Sequence, residues 1–299
     1  MTDNYLDLAR EGINHWWRYV VSIILIVFTW LFLGNIPAVI LILLVRSDKN
    51  PQTQFHAETS QFEGVNPLLT YLAVNFAFVM FILALYIAIR FIHKRKFITL
   101  ITPYSRINWQ RILQSFSVYF SLACISSLIE ATIFPGSYKL TLNISNFLFF
   151  IPIALILTPI QTSVEELFFR GYLMQGISLK SRKSLVPIII TSLIFMLLHL
   201  ANPEVASSFL LLAAYYLGLA LFLAIITVKD NTLELALGVH AANNLFNVVL
   251  ANYKNSALPS PSIFTSQQLN PLFNLISFIL MALIFYAVFF RKKAPPTYQ

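Results

Sequence analysis

Long apolar runs alternate with short polar stretches along the whole chain. Eight of them are long enough to matter: about Tyr19 to Val45, Leu68 to Ile92, Leu113 to Phe134, Phe147 to Ile177, Leu185 to Leu200, Phe209 to Val228, Leu235 to Leu250, and Leu272 to Phe290. A helix that crosses a bilayer needs about 20 mostly apolar residues. The pattern therefore predicts an all-α protein, a polytopic membrane helical bundle of about eight transmembrane helices. The fifth and seventh runs are short and the fourth is long. His240, Asn243, Asn244 and Asn247 interrupt the seventh. It is kept as a span because polar residues in a span usually face the bundle interior.

The basic residues test this count. With eight spans, the N-terminus, the even-numbered connections and the C-terminus share one side. That side carries 16 of the 20 Lys and Arg residues, among them the clusters Arg90 to Lys96, Lys180 to Lys183 and Arg291 to Lys293. The other side carries 4: Arg46, Lys49, Lys139 and Lys254. Cytoplasmic loops are enriched in Lys and Arg, so both termini are expected in the cytoplasm of a multi-pass cell-membrane protein. Tyr5, Ala9, Ile13 and Trp16 recur at helical spacing and read as a short interfacial helix. The stretch from Lys94 to Arg111, with Phe97, Ile98, Ile101, Tyr104 and Trp109, reads as a segment on the inner membrane surface or as a solvated loop. Residues Ala251 to Pro271 are rich in Pro, Ser and Asn and read as an external loop. The chain thus divides into an interfacial segment (1–18), three helices (19–134), a core bearing the polar motifs (147–250), and an external loop, last helix and basic tail (251–299).

Composition narrows the class. Of 299 residues, 58% are hydrophobic and 11% charged, against about 25% charged in soluble domains. This excludes a soluble cytoplasmic enzyme, a disordered chain and a disulfide scaffold. Cys124 is the single cysteine and lies in an apolar run without the context of a nucleophile. A net charge of +8 fits basic cytoplasmic loops better than nucleic-acid binding. The expected partners are membrane lipid and a membrane-bound peptide or protein, with no nucleic acid. Asp3, Asp7 and Glu11 spoil the basic start of a signal peptide, and the first apolar run is too long for one. High Ile, Leu, Asn and Phe with few Gly point to a bacterial source.

Ionisable groups inside apolar runs carry the functional signal, because each costs about 2.5–3.5 kcal/mol at a helix centre. Three clusters stand out: Glu165-Glu166-Leu-Phe-Phe-Arg170-Gly171, Phe195-Met-Leu-Leu-His199, and His240-Ala-Ala-Asn243-Asn244. Glu166 and Arg170 are four apart, on one helix face and in the favourable order for an ion pair. Glu165 lies about 140° away around the helix, so Arg170 neutralises Glu166 and leaves Glu165 without a local partner. Phe195, one turn before His199, is placed to fix its ring. His240, Asn244 and Asn247 share a face; Asn243 and Asn247 equally suit helix–helix hydrogen bonding. Glu165 and His199 each lie roughly 22–24 Å along their helices from the basic turn Lys180 to Lys183, so they meet at one level inside the membrane. His240 comes early in its span, and a tilted or shortened helix is needed to bring it level.

A carboxylate, two imidazoles and an amide can hydrolyse a peptide bond. Glu165 kept from water is a usable general base for a water molecule. His199 can orient that water or shuttle a proton, and His240 with Asn244 can donate hydrogen bonds to the developing oxyanion. His199, His240 and a Glu carboxylate, Glu165 for example, can alternatively form a three-ligand zinc site with an open position. The sequence has neither an HExxH helix nor a GxSxG motif. A metal-independent site without cofactor is the preferred reading, because Glu165 does not easily serve as both third ligand and base.

The three clusters, read in order as EExxxR, FxxxH and HxxxN in successive apolar segments, resemble the CPBP or Abi family of intramembrane proteases, which includes the CAAX prenyl endopeptidases and bacteriocin-processing enzymes. The resemblance covers about Phe147 to Leu250. It implies an all-helical eight-span core and endopeptidase activity, with Glu165, His199, His240 and Asn244 as active-site groups supported by Glu166 and Arg170. The family has been described both as metal-dependent and as glutamate-dependent. A non-proteolytic alternative is a membrane transporter or an immunity or scaffold protein using the same buried polar residues. Internal repeats and broken helices, common in transporters, are not evident.

Overall fold

The computed structural model describes residues 4–57, 61–181, 183–253 and 256–291. Asp3, Arg182, Lys254, Lys292 and Lys293 lie outside the described residues. Eight helical segments match the eight apolar runs. We number them α1 (Trp16–Ser47), α2 (Pro67–Ile92), α3 (Trp109–Ile133), α4 (Ile144–Ser178), α5 (Leu185–His199), α6 (Phe209–Asp230), α7 (Glu234–Leu245, continued by a wide turn Phe246–Leu250) and α8 (Pro271–Phe290). Among the described residues six of them, all except α5 and α7, are long and apolar enough to cross a membrane. The chain is a multi-pass helical membrane protein. Large apolar side chains such as Leu43, Leu128, Phe149, Leu210 and Leu283 stand exposed on its outer faces, as lipid contact requires and water would penalise.

The long helices carry local breaks that the apolar pattern does not reveal. In α1 the helix widens at Thr29–Leu33 and restarts at Ile36 with Pro37 in its first turn. Proline suits this first turn because it has no N–H to donate, and the Asn35 side-chain amide donates to the carbonyls of Trp30 and Leu31 at 3.3 and 3.0 Å. Pro152 and Pro159 sit inside α4. There Thr162 Oγ1 donates to the Thr158 carbonyl at 3.1 Å, and the Tyr71 hydroxyl ties α2 to Thr158 at 2.6 Å.

Three very short strands close one end of the bundle. β3 (Tyr138–Leu140) pairs antiparallel with β5 (Phe264–Ser266), which pairs parallel with β4 (Ala251–Tyr253). A hairpin of β1 (Gln54–His56) and β2 (Gln61–Glu63) lies in the connection between α1 and α2.

The opposite end has a packed floor. Residues Tyr5–Glu11 form a 3-10 turn capped by Asn4, with Tyr5, Leu6, Leu8 and Ala9 buried. Tyr5 hydroxyl donates to the Leu100 carbonyl at 2.7 Å, Gln175 donates to the Thr99 carbonyl at 2.9 Å, and the Leu233 amide donates to the Ile101 carbonyl at 2.7 Å. Leu100 and Ile101 are buried rather than spread on a surface. Their carbonyls are needed inside the protein, which is why this segment folds inward. The first turns of α7 rest on this floor with Glu234, Leu235, Ala236 and Val239 buried. Gly238 brings α7 hard against α3: a Cβ there would lie 2.3 Å from the Ile112 carbonyl oxygen and the Ser115 hydroxyl. Ser115 in turn donates to the Leu235 carbonyl at 2.6 Å. α7 therefore starts inside the bundle, and His240 stands level with α4 without a full span before it.

Candidate active site

Glu165 and Glu166 end the regular part of α4, and a wide turn Leu167–Leu173 follows. The expected ion pair is present: Arg170 Nη1 donates to Glu166 Oε1 at 2.8 Å, with both side chains almost fully buried. Arg170 Nη2 donates to the Ala220 carbonyl in α6 at 3.1 Å, and its guanidinium lies 4.6 Å from the Phe195 ring centre. The buried cation thus has a carboxylate, a carbonyl and an aromatic face, as a low-dielectric setting requires.

Glu166 does a second thing that the helical spacing alone does not reveal. Its Oε1 also accepts from His240 Nδ1 at 2.7 Å. This contact turns His240 Nε2 toward Glu165, whose Oε2 is 3.8 Å away. His199 reaches the same oxygen from α5, with its Nε2 at 4.0 Å. The His199 ring stacks on Phe195 at 4.1 Å between centres, and its Nδ1 donates to the Phe195 carbonyl at 2.8 Å. A carbonyl can only accept, so His199 Nδ1 carries the proton and Nε2 presents its lone pair. Glu165 Oε2 is enclosed and has no hydrogen-bond partner.

Asn243 accepts from the Tyr215 hydroxyl at 3.3 Å and donates to Asn244 Oδ1 at 3.0 Å. Asn243 therefore bridges α7 to α6, as its helix–helix reading expects, and it leaves the Asn244 amide nitrogen available as a donor. Glu165, His199, His240, Asn244 and Asn247 all line one cavity of about 570 Å³. Glu166 and Arg170 stand behind it.

The cavity reaches from this cluster to β3, β4 and β5, where Tyr138, Tyr253 and Ser266 line it. It also exposes Glu204, a residue with no signal in the apolar pattern. Glu204 lies in the 3-10 turn Pro203–Ser207 just after α5. Its Oε1 accepts from Tyr216 at 2.6 Å, Tyr253 at 3.0 Å and Asn202 at 3.3 Å.

The comparisons with known proteins bear on the same stretch. A family described as type II CAAX prenyl endopeptidase Rce1-like matches residues 144–246. That range holds every residue of the three clusters. The chain belongs to the CPBP family. It is 36% identical over 293 residues to "Uncharacterized protein YyaK" of Bacillus subtilis (strain 168), covering 97% of each chain. No solved structure gives a significant match. The CPBP match ends at Phe246, so it stops short of β4 and β5, which close the far end of the cavity.

His199, His240 and Glu165 are the donors that a zinc ion here would use. Ligands on a tetrahedral zinc with bonds of about 2.0–2.1 Å stand roughly 3.4 Å apart. The Glu165 oxygen is 4.0 and 3.8 Å from the two imidazole nitrogens. Among the described residues no group of three or more His, Cys, Asp or Glu is arranged to hold a metal ion. The donor types suit zinc, and the two Glu165–imidazole distances are somewhat longer than ligands on one zinc would show.

Proposed function

We propose that the protein is an intramembrane endopeptidase that hydrolyses a peptide bond in a membrane-associated peptide or protein, with Glu165 and His199 activating water. The convergence of Glu165 Oε2 with the Nε2 atoms of His199 and His240 in one buried cavity carries this reading. A water between them gives one hydrogen to Glu165 and the other to His199 Nε2, whose lone pair faces it. The water oxygen attacks the scissile carbonyl as Glu165 takes its proton. Glu165 then passes that proton to the leaving nitrogen as the C–N bond breaks, which yields a carboxylic acid and an amine.

His240 and Asn244 stabilise the oxyanion. With Nδ1 committed to Glu166, His240 donates from Nε2 only when it carries both protons. Preorganised donors of this kind supply a large share of the stabilisation in acyl transfer. No metal takes part in this mechanism.

The core of the enzyme is 147–250, carried by helices 19–134, with an external loop, last helix and basic tail in 251–299. Both termini face the cytoplasm, and the substrate is a peptide precursor or another membrane protein. The test is quantitative proteomics of membranes with wild type and with Glu165→Gln. A peptide whose uncleaved form accumulates only in the variant supports the reading. Identical membrane proteomes and identical transport phenotypes for both would overturn it.

A further inference from the structure

Glu204 is 92% removed from solvent, being only 8% exposed, yet it is only half satisfied. Three donors crowd onto Oε1, from Tyr216, Tyr253 and Asn202. Oε2 is enclosed and receives no hydrogen bond. Gln161 Oε1, one turn before Glu165 on the same cavity wall, is likewise enclosed without a donor. Among the described residues that line the cavity there are three glutamates, Glu130, Glu165 and Glu204, and no Lys or Arg. Arg170, the nearest buried cation of the cluster, is spent on Glu166. A carboxylate fixed by three donors on one oxygen, its other oxygen enclosed without a donor at the wall of a cavity whose described lining holds no cation, is stabilised by a positive charge brought from outside the chain.

Its position relates that charge to the chemistry. Glu204 follows His199 by five residues, and Tyr216, which donates to Glu204, also packs its ring 4.9 Å from the His199 ring. Building on the protease reading above, we propose that Glu204 is a specificity residue that binds a cationic group of the substrate, an ammonium or guanidinium, close to the scissile bond. The group is either a Lys or Arg side chain or a free amino terminus. A peptide ending in a free carboxylate near the cut would instead meet three glutamates. The cavity therefore selects cationic over acidic peptides.

The experiment uses full-length protein in lipid nanodiscs with Glu165→Gln to stop turnover. Short fluorescent apolar peptides carry one central Lys or a matched Gln, each with a free or an acetylated amino terminus. The cationic peptides should bind about tenfold more tightly than the neutral ones, the effect of one charge-assisted hydrogen bond. Comparing the Lys and amino-terminal arms identifies the source of the charge. Adding Glu204→Gln, which keeps an acceptor for Tyr216 and Tyr253, should erase the preference; adding Glu130→Gln should leave most of it. Equal binding of cationic and neutral peptides, a preference unmoved by Glu204→Gln, or no binding of any cationic peptide would overturn the proposal. A charge preference that depends on Glu204 in a protein that cleaves nothing would refute the protease reading alone. Cleavage without charge preference would refute this one alone.

Discussion

His240 is held by Glu166 through a 2.7 Å contact between Nδ1 and Oε1, on the same oxygen that takes Arg170 at 2.8 Å. One carboxylate therefore neutralises a buried guanidinium and aims an imidazole at its neighbour Glu165. Adjacent residues divide the work: Glu166 builds the site and Glu165 faces the cavity.

That division predicts different failures. Glu165→Gln should lower cleavage by about 10²–10⁴-fold, the range for a lost general base, with the melting temperature unchanged. Glu166→Gln or Arg170→Leu should each cost about 3–5 kcal/mol, because a buried charge loses its partner, and expression should fall with it. Thermal melts and cleavage rates on the same detergent preparations check both. Equal destabilisation by Glu165→Gln would refute the division.

The acid limb of stability should report on His93, which lies just past the end of α2. Its Nδ1 faces the Ile13 carbonyl and its Nε2 the Tyr172 hydroxyl, each at 3.0 Å. Burial first, and then the Arg95 and Arg18 cations, push its pKa down from 6.5 to about 4. The folded state thus binds this proton less readily than the unfolded chain, so the unfolded chain holds more protons between these values. Stability is full above about pH 6.5 and falls as the pH drops toward 4. Melting temperatures at pH 7 and 4.5 should show a smaller acid loss in His93→Gln than in wild type. Parallel losses in both proteins would count against it.

Much of the site was legible because helical spacing is local. Glu166 and Arg170 meet at four residues, and Phe195 stacks on His199 at the same separation. What escaped depends on partners brought together only by folding. Glu204 sits in a short loop, and its donors Tyr216 and Tyr253 are 12 and 49 residues away. The apolar positions from Phe97 to Ile101 fit a membrane-surface segment as well as a buried floor. Only the inward carbonyl contacts of Leu100 and Ile101 separate the two. That floor also explains how His240, early in its run, reaches the level of Glu166.

Orientation is open to direct measurement. The excess of Lys and Arg on one side predicts that Lys183 and Gln299 face the cytoplasm and Asn50 and Ser260 the outside. Reporter fusions at these four positions should divide accordingly. Ser260 is the most informative, because it follows α7 by few residues. A cytoplasmic signal there would mean that α7 does not cross and that the sheet-covered end of the cavity faces inward.

The metal question turns on which atoms remain free. His199 and His240 commit Nδ1 to the Phe195 carbonyl and to Glu166, a pattern that also serves metal ligands. A third ligand would have to be a carboxylate. His56 pairs with Glu63 in the β1–β2 hairpin, His93 is engaged by Ile13 and Tyr172, and neither they nor His15 line the cavity. Glu166 is taken by Arg170 and His240. Glu165 is left, and as a zinc ligand it would no longer be free to take a proton from water. Asn244 is a poor zinc ligand but a good donor to an oxyanion. Purified protein is therefore expected to hold well under one zinc per chain and to keep its cleavage rate after treatment with a strong chelator. Elemental analysis and a rate measured before and after chelation decide it: activity that vanishes and returns on adding Zn²⁺ would assign Glu165, His199 and His240 to a metal instead of a water.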